Sequence, residues 1–130
     1  KLNELCDKFL LGSDQMWNYD LSHPYKQAYY FGFADDYHPK ICYATSFGKE
    51  QWFGPEDQKP ITKRNLKRFD RVSVRDDFSQ RILENDFDVQ STVVVDPVFL
   101  CPVSEYEKLI KEAKGFKIDK NYIFAYIPPI

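Results

Sequence analysis

The sequence predicts an α/β fold, a Rossmann-like, mainly parallel sheet with helices flanking it. Three observations carry that prediction. Short, almost wholly apolar runs recur along the chain, the stretches between them have helical periodicity, and polar residues follow the runs directly. Near-continuous apolar strands are those buried on both faces, and joining two parallel strands takes a crossover long enough to hold a helix. At 130 residues, 43% of them hydrophobic, the chain has the bulk for one core.

Taken in order, Phe9-Leu10-Leu11 is the first expected strand, ended by a turn at Gly12. Tyr29 to Phe33 is a further strand candidate. Lys40 to Ser46, rich in small, aromatic and β-branched residues, is the next, stopping near Gly48. Pro60 to Phe69 has a weaker helical pattern, with Ile61, Leu66 and Phe69 facing inward. Arg71 to Val74 is a strand. Asp76 to Asn85 is a helix with Asp76 as its cap and Phe78, Ile82 and Leu83 on the buried side. Thr92 to Val95 is another strand. Ser104 to Lys114 carries an S-x-x-E capping box in Ser104 and Glu107, an apolar stripe of Tyr106, Leu109, Ile110 and Ala113, and Gly115 where a C-terminal cap belongs. Tyr122 to Ile127 is expected as a last strand, stopped by Pro128-Pro129. The chain opens at Lys1 without a methionine and ends just past that strand, so it is expected to be a piece of something longer.

Composition excludes several classes of function. A formal net charge of -2 provides no basic field to hold a polyanion, so nucleic acid is not an expected partner. Cys6, Cys42 and Cys101 are odd in number and widely spaced, which fits reduced thiols in a cytosolic protein and shows no metal-ligand spacing. Cys42 is expected inside a strand. No apolar run approaches a bilayer span and no signal segment opens the chain, so no transmembrane segment is expected. Neither G-x-G-x-x-G nor G-x-x-x-x-G-K-[ST] occurs, which argues against standard dinucleotide and ATP sites.

In parallel sheets of this kind ligands bind beyond the carboxyl ends of the strands. The residues there are Ser13 and Asp14, Ser46 and Lys49, Arg75 and Asp76, and Asp96. Hydroxyls, carboxylates and cations converging on one rim suit a polyhydroxylated, anionic substrate. Turn chemistry uses the same residue types: Ser13 and Asp14 also fit an Asx-turn or helix cap, and Trp17 fits a core position as well as a sugar platform. Arg75 can clamp a carboxylate or phosphate through two parallel bonds, or pair with Asp76, Asp77 or Asp96. The basic run Lys59, Lys63, Arg64, Lys67, Arg68 and Arg71 reads as a solvated face, and His23 and His38 as surface loop residues.

Several segments together resemble a known family. Leu11-Gly12-Ser13-Asp14-Gln15-Met16-Trp17-Asn18, Tyr30-Phe31-Gly32-Phe33, Tyr43-Ala44-Thr45-Ser46-Phe47-Gly48, Phe69-Asp70-Arg71-Val72-Ser73-Val74-Arg75-Asp76 and Val95-Asp96-Pro97 are similar, in order and spacing, to the successive motifs of the polysaccharide pyruvyl transferases. The resemblance implies an enzyme that moves the pyruvyl group of phosphoenolpyruvate onto a sugar of a cell-surface polysaccharide. Phosphoenolpyruvate is then the donor substrate, a glycan or lipid-linked sugar the acceptor, and no cofactor is implied. It further implies a two-lobed fold like that of GT-B glycosyltransferases, of which residues 1–130 would be most of the N-terminal lobe. The second lobe, with the family's Arg-Leu-His donor motif, is missing from the sequence, so the isolated chain is expected to be inactive. The setting implied is cytoplasmic, peripheral to the inner membrane face.

Carried over residue by residue, the resemblance makes Arg75 the contact for a donor anion. Asp14 becomes the general base or the acceptor of sugar-hydroxyl hydrogen bonds. Ser13, Gln15, Trp17, Asn18 and Ser46 are the expected binding groups. Asp96 serves similarly or makes a structural Asp-Pro turn. Two other functions share the fold: a non-catalytic carbohydrate-binding or partner-docking module, and a lobe of a nucleotide-sugar glycosyltransferase.

Overall fold

In the computed structural model, residues 2–22, 24–113, 115 and 120–127 are described. The chain divides into two compact units, Lys1–Leu100 and Cys101–Ile130. The first holds a sheet of four parallel strands in the order β1 (Phe9–Leu11), β2 (Lys40–Thr45), β3 (Arg71–Val74) and β4 (Thr92–Val93). A short helix, α1 (Leu2–Leu5), precedes it; α2 (Lys59–Leu66) lies between β2 and β3, and α3 (Asp77–Phe87) between β3 and β4. This is the α/β fold that the alternating pattern predicts, with the four strands starting where the apolar runs start.

Aromatic side chains build much of the core. Trp17 stacks on Tyr30 with ring centroids 5.8 Å apart and meets Phe47 at 5.3 Å, while Phe47 stacks on Phe87 of α3 at 6.1 Å. Leu66 of α2, Val74 of β3 and Leu83 of α3 are fully enclosed with them. Asp76 caps α3 as the sequence indicates, its Oδ1 accepting from the Ser79 amide at 2.8 Å, and the helix closes on Asp88 in the left-handed region (φ 56°). Leu66, Ile82 and Leu83 are buried as expected, Phe78 partly so.

β2 is irregular in a way that matters at its carboxyl end. Its register to β3 shifts between Cys42 and Thr45, and Ala44 stands at φ 53°. Such a bulge breaks the ladder and turns the strand. Ser73 repairs the break, its hydroxyl donating to the Cys42 carbonyl at 3.1 Å and accepting from the Ala44 amide at 3.3 Å. Cys42 itself is buried, and desolvation raises its thiol pKa to about 11.

Several expectations are corrected. Tyr29 to Phe33 is no strand: Lys26–Tyr30 is a 3-10 helix, closed by Phe31 at φ 50°. A strand would send neighbours to opposite faces, whereas Tyr30 and Phe31 are both buried, and the tight turn aims both rings at the core. His38 is buried rather than on the surface, its ring edge-on to Phe9 at 5.5 Å. Two residues on, Lys40 is fully buried because its ammonium donates to the carbonyls of Asp35 (2.6 Å) and His38 (2.8 Å); burial holds its pKa below the usual lysine range. His23 lies outside the described residues.

The basic run is solvated only in part: Arg64, Lys67 and Arg71 are exposed, and three of its six residues make ion pairs among the described residues. Lys59 meets Asp86 at 2.7 Å, Lys67 meets Asp88 at 2.6 Å, and Arg68 meets Asp36 at 2.7 Å while donating to the Ala34 carbonyl. These bonds tie α2 to α3 and to the 31–36 turn.

In the second unit, α4 spans Val103–Glu112. It starts one residue before Ser104, with Pro102 as N-cap and no side-chain capping bond, so the expected capping box does not form. Pro102 brings a fixed φ and lacks an amide hydrogen, which suits a helix entry. The helix ends at an extended Ala113 rather than at Gly115, and Lys114 lies outside the described residues. Tyr122 to Ile127 is not a strand: these residues are described without regular structure and are exposed. Apolar, β-prone composition makes a strand only where a partner supplies a ladder, and among the described residues none pairs with this run. Pro128-Pro129 lies outside the described residues.

Candidate functional site

The parallel register delivers three strand ends side by side. Asp14 forms a bridge to Thr45, and its carbonyl accepts from the Ser46 amide at 2.9 Å; the Arg75 amide donates to the Thr45 carbonyl at 3.2 Å. From this position the Arg75 guanidinium reaches both ways along the rim. Its Nη1 donates to Asp96 Oδ2 at 2.9 Å and its Nη2 to Asp14 Oδ1 at 3.1 Å. Three residues named independently from the sequence, 61 and 21 positions apart, thus form one charged group. Of the ion-pair partners weighed for Arg75, Asp96 is present and Asp14 is an unforeseen second, whereas Asp76 is spent on the α3 cap.

The two carboxylates are held differently. Asp96 Oδ1 also accepts from the Val98 amide at 3.0 Å; that bond, and then the one from Arg75, hold its pKa below the ordinary carboxylate range. The Asp96 bond, helped by Asp14, raises the Arg75 pKa further above an already high value. Asp14 sits at φ 83°, with its carbonyl also accepting from the Met16 amide at 2.8 Å. A left-handed aspartate costs backbone energy, and such strain concentrates at working sites.

The rest of the 12–18 segment divides between rim and core. Gln15 Oε1 accepts from Asn18 Nδ2 at 2.9 Å, and Asn18 Oδ1 accepts from the Asp20 amide at 3.0 Å. Ser13 is half-buried. Trp17 is only 1% exposed and its Nε1 donates to the Tyr29 carbonyl at 3.1 Å, so the indole shows no open face to a sugar here. Ser46 is also buried, its hydroxyl accepting from the Gly48 amide at 2.8 Å and lying 3.4 Å from the Ser79 hydroxyl. Of the two, Trp17 serves the core and Ser46 the turn. Lys49 pairs with Asp20.

Gly48 closes this arrangement. It stands at φ 70°, and a Cβ there would fall 2.3 Å from Gln15 Oε1 and 2.8 Å from Asn18 Nδ2. Gly48→Ala is therefore expected to cost about 1–3 kcal/mol and to separate Gln15 from Asn18. Urea unfolding checks the first effect and the Asn18 side-chain amide resonances the second.

Beside Asp14 lies a cavity of about 140 Å³, lined by Asp14, Gln15, Met16, Leu21, Ser22 and Tyr29. A larger hollow of about 360 Å³ around Tyr19, Tyr25 and Gln58 includes none of the rim residues. Ser22 and Tyr29 were not among the residues expected at the site, and no sequence signal marks them; they line the same cavity as Asp14 although they stand 8 and 15 positions from it. Ser73 and Ser79 likewise look like ordinary strand and helix serines until the bulge and the turn give their hydroxyls work.

A sequence profile of the polysaccharide pyruvyl transferases matches residues 2–128. The chain belongs to the polysaccharide pyruvyl transferase family. The family indicates a pyruvyl transferase acting on a polysaccharide acceptor. No curated protein and no solved structure matches the chain. In this pyruvyl transferase chain no described helix is long and apolar enough to cross a membrane. Among the described residues no three His, Cys, Asp or Glu side chains gather as a metal site would require.

What the pyruvyl transferase rim can do follows from its charges. A guanidinium presenting two Nη groups in a fixed plane is suited to carboxylate or phosphate, and a solvent-facing carboxylate next to a small cavity that also holds Gln15 and Ser22 is suited to hydroxyl groups. Asp14, Arg75 and Asp96 are brought together; Gln15 lines the cavity with Asp14, Asn18 is buried with its side chain bonded to Gln15 and the Asp20 amide, and the Ser46 amide is tied to the Asp14 carbonyl.

Proposed function

We propose that this chain carries the donor-facing rim of a transferase that takes phosphoenolpyruvate and passes its pyruvyl group to a sugar of a cell-surface polysaccharide. The observation that carries the reading is the placement of Arg75 at a strand's carboxyl end, one edge of its guanidinium on Asp96 and the other on Asp14, which lines the cavity. Phosphoenolpyruvate presents a carboxylate and a phosphate, and Arg75 is the group to hold one of them. The reaction protonates the methylene carbon to a methyl group and makes the adjacent carbon electrophilic. Sugar hydroxyls attack that carbon, forming C–O bonds, and the bond from it to the phosphate oxygen breaks as inorganic phosphate leaves. The two attacking hydroxyls lose two protons, which balance the one taken up by the methylene carbon and the one that leaves on inorganic phosphate; Asp14 accepts one from a hydroxyl and passes it on, and Gln15 and Asn18, with Ser13, orient the acceptor.

In this reading the rim is one wall of a cleft in a two-lobed, GT-B-like enzyme whose other lobe supplies further donor contacts. The reaction belongs to the cytoplasm, with a lipid-linked acceptor bringing the enzyme to the inner membrane face. The test is phosphorus NMR on the full-length protein with phosphoenolpyruvate and an acceptor glycan. Inorganic phosphate is expected to appear in step with a pyruvylated product. Consumption of a nucleotide-sugar in place of phosphoenolpyruvate would assign the fold to glycosyl transfer instead, and binding of glycan without turnover of either donor would make it a binding module.

A further inference from the structure

The two carboxylates on Arg75 outnumber its one charge, so the rim meets an incoming anion with its guanidinium already occupied. They are unequally attached. Asp96 is 23% exposed and tied a second time to the Val98 amide, whereas the Asp14 side chain is 73% exposed and holds Arg75 through one longer bond. An exposed single-bond ion pair contributes little, while a carboxylate with a second, backbone anchor resists displacement. The Asp14 main chain is independently secured, its carbonyl accepting from Met16 and Ser46, so its carboxylate can leave Arg75 by side-chain rotation alone.

We infer that Asp14 is an exchangeable partner of Arg75: the donor's carboxylate or phosphate replaces it on Nη2, while Asp96 stays on Nη1 as the positioning residue. This rests on the donor reading above and adds an order of events. A released Asp14 carboxylate borders the cavity with Ser22 and Tyr29, where an acceptor hydroxyl would meet it. Donor binding thereby frees the group that the acceptor needs. By linkage, the acceptor that engages Asp14 tightens the donor by the same factor.

The experiment titrates inorganic phosphate and phosphoenolpyruvate, separately, into the full-length protein and its Asp14→Asn and Asp96→Asn variants by calorimetry. Asp14→Asn removes a competitor and is expected to tighten both anions by about three- to tenfold. Asp96→Asn releases the guanidinium plane and is expected to weaken both by about tenfold. Opposite signs at two carboxylates on one arginine are not what a merely structural role produces. Equal weakening by both variants, or no change with Asp14→Asn, would overturn the exchange; should Asp96→Asn not fold, the Asp14→Asn result alone decides. If anions tighten on Asp14→Asn but the unsubstituted full-length protein never turns over phosphoenolpyruvate, the donor assignment fails and the exchange stands. If turnover occurs without tightening, the reverse holds.

Discussion

Arg75→Ala in the full-length protein is expected to lower kcat/KM for phosphoenolpyruvate by about 100- to 1000-fold, because it removes the group assigned to the donor anion. Arg75→Lys should recover little of this. An ammonium on a flexible stem cannot keep one edge on Asp96 while presenting a second, coplanar donor to carboxylate or phosphate. Thermal stability should change far less than activity, since of the two carboxylates left behind Asp14 is largely exposed to water and Asp96 keeps its bond from the Val98 amide. Steady-state kinetics with a melting curve on the same preparation separates the two effects. Wild-type turnover and donor affinity in Arg75→Ala would remove Arg75 from the site.

The second large effect is expected at Trp17, and on stability. Trp17→Ala should cost about 3–5 kcal/mol, a large share of the roughly 5–15 kcal/mol that holds a typical domain together. The indole lies against Tyr30, Phe47 and Phe69, and its ring nitrogen gives the Tyr29 carbonyl a hydrogen-bond partner. Trp17→Phe keeps an aromatic ring but leaves that bond unmade, for an intermediate loss. Urea unfolding of the three proteins measures the series. If stability held and only the acceptor KM rose, Trp17 would be a sugar platform after all.

These two residues show where sequence was sufficient and where it was not. Arg75 was legible because a guanidinium directly after a buried strand has few places to go except the rim, and the rim position follows from strand direction alone. Its partner Asp14 was not legible as a partner: the contact spans 61 residues and depends on the register that sets β1, β2 and β3 side by side. Trp17 read more readily as core than as sugar platform and stood among the binding groups only with the resemblance, because residue type does not say which side of a turn faces water. The burial of His38 and Lys40 was missed for a related reason. The Lys40 ammonium is tolerated inside because of the carbonyls of Asp35 and His38, and the His38 ring is held there by packing on Phe9, with its Nδ1 left without a hydrogen-bond partner among the described residues; local pattern specifies none of these neighbours.

By itself the sequence determined the α/β class, the starts of the four strands, the Asp76 cap of α3 and the family, since these depend on period, local capping chemistry and ordered motifs. Tertiary structure decided that Tyr29 to Phe33 turns rather than extends, that Tyr122 to Ile127 has no ladder to join, and that Arg75 is shared by two carboxylates of unequal hold. Each of these depends on what a residue meets across space. Pairing partners, burial and charge neighbours come from chain segments far apart in sequence, and no local propensity encodes them.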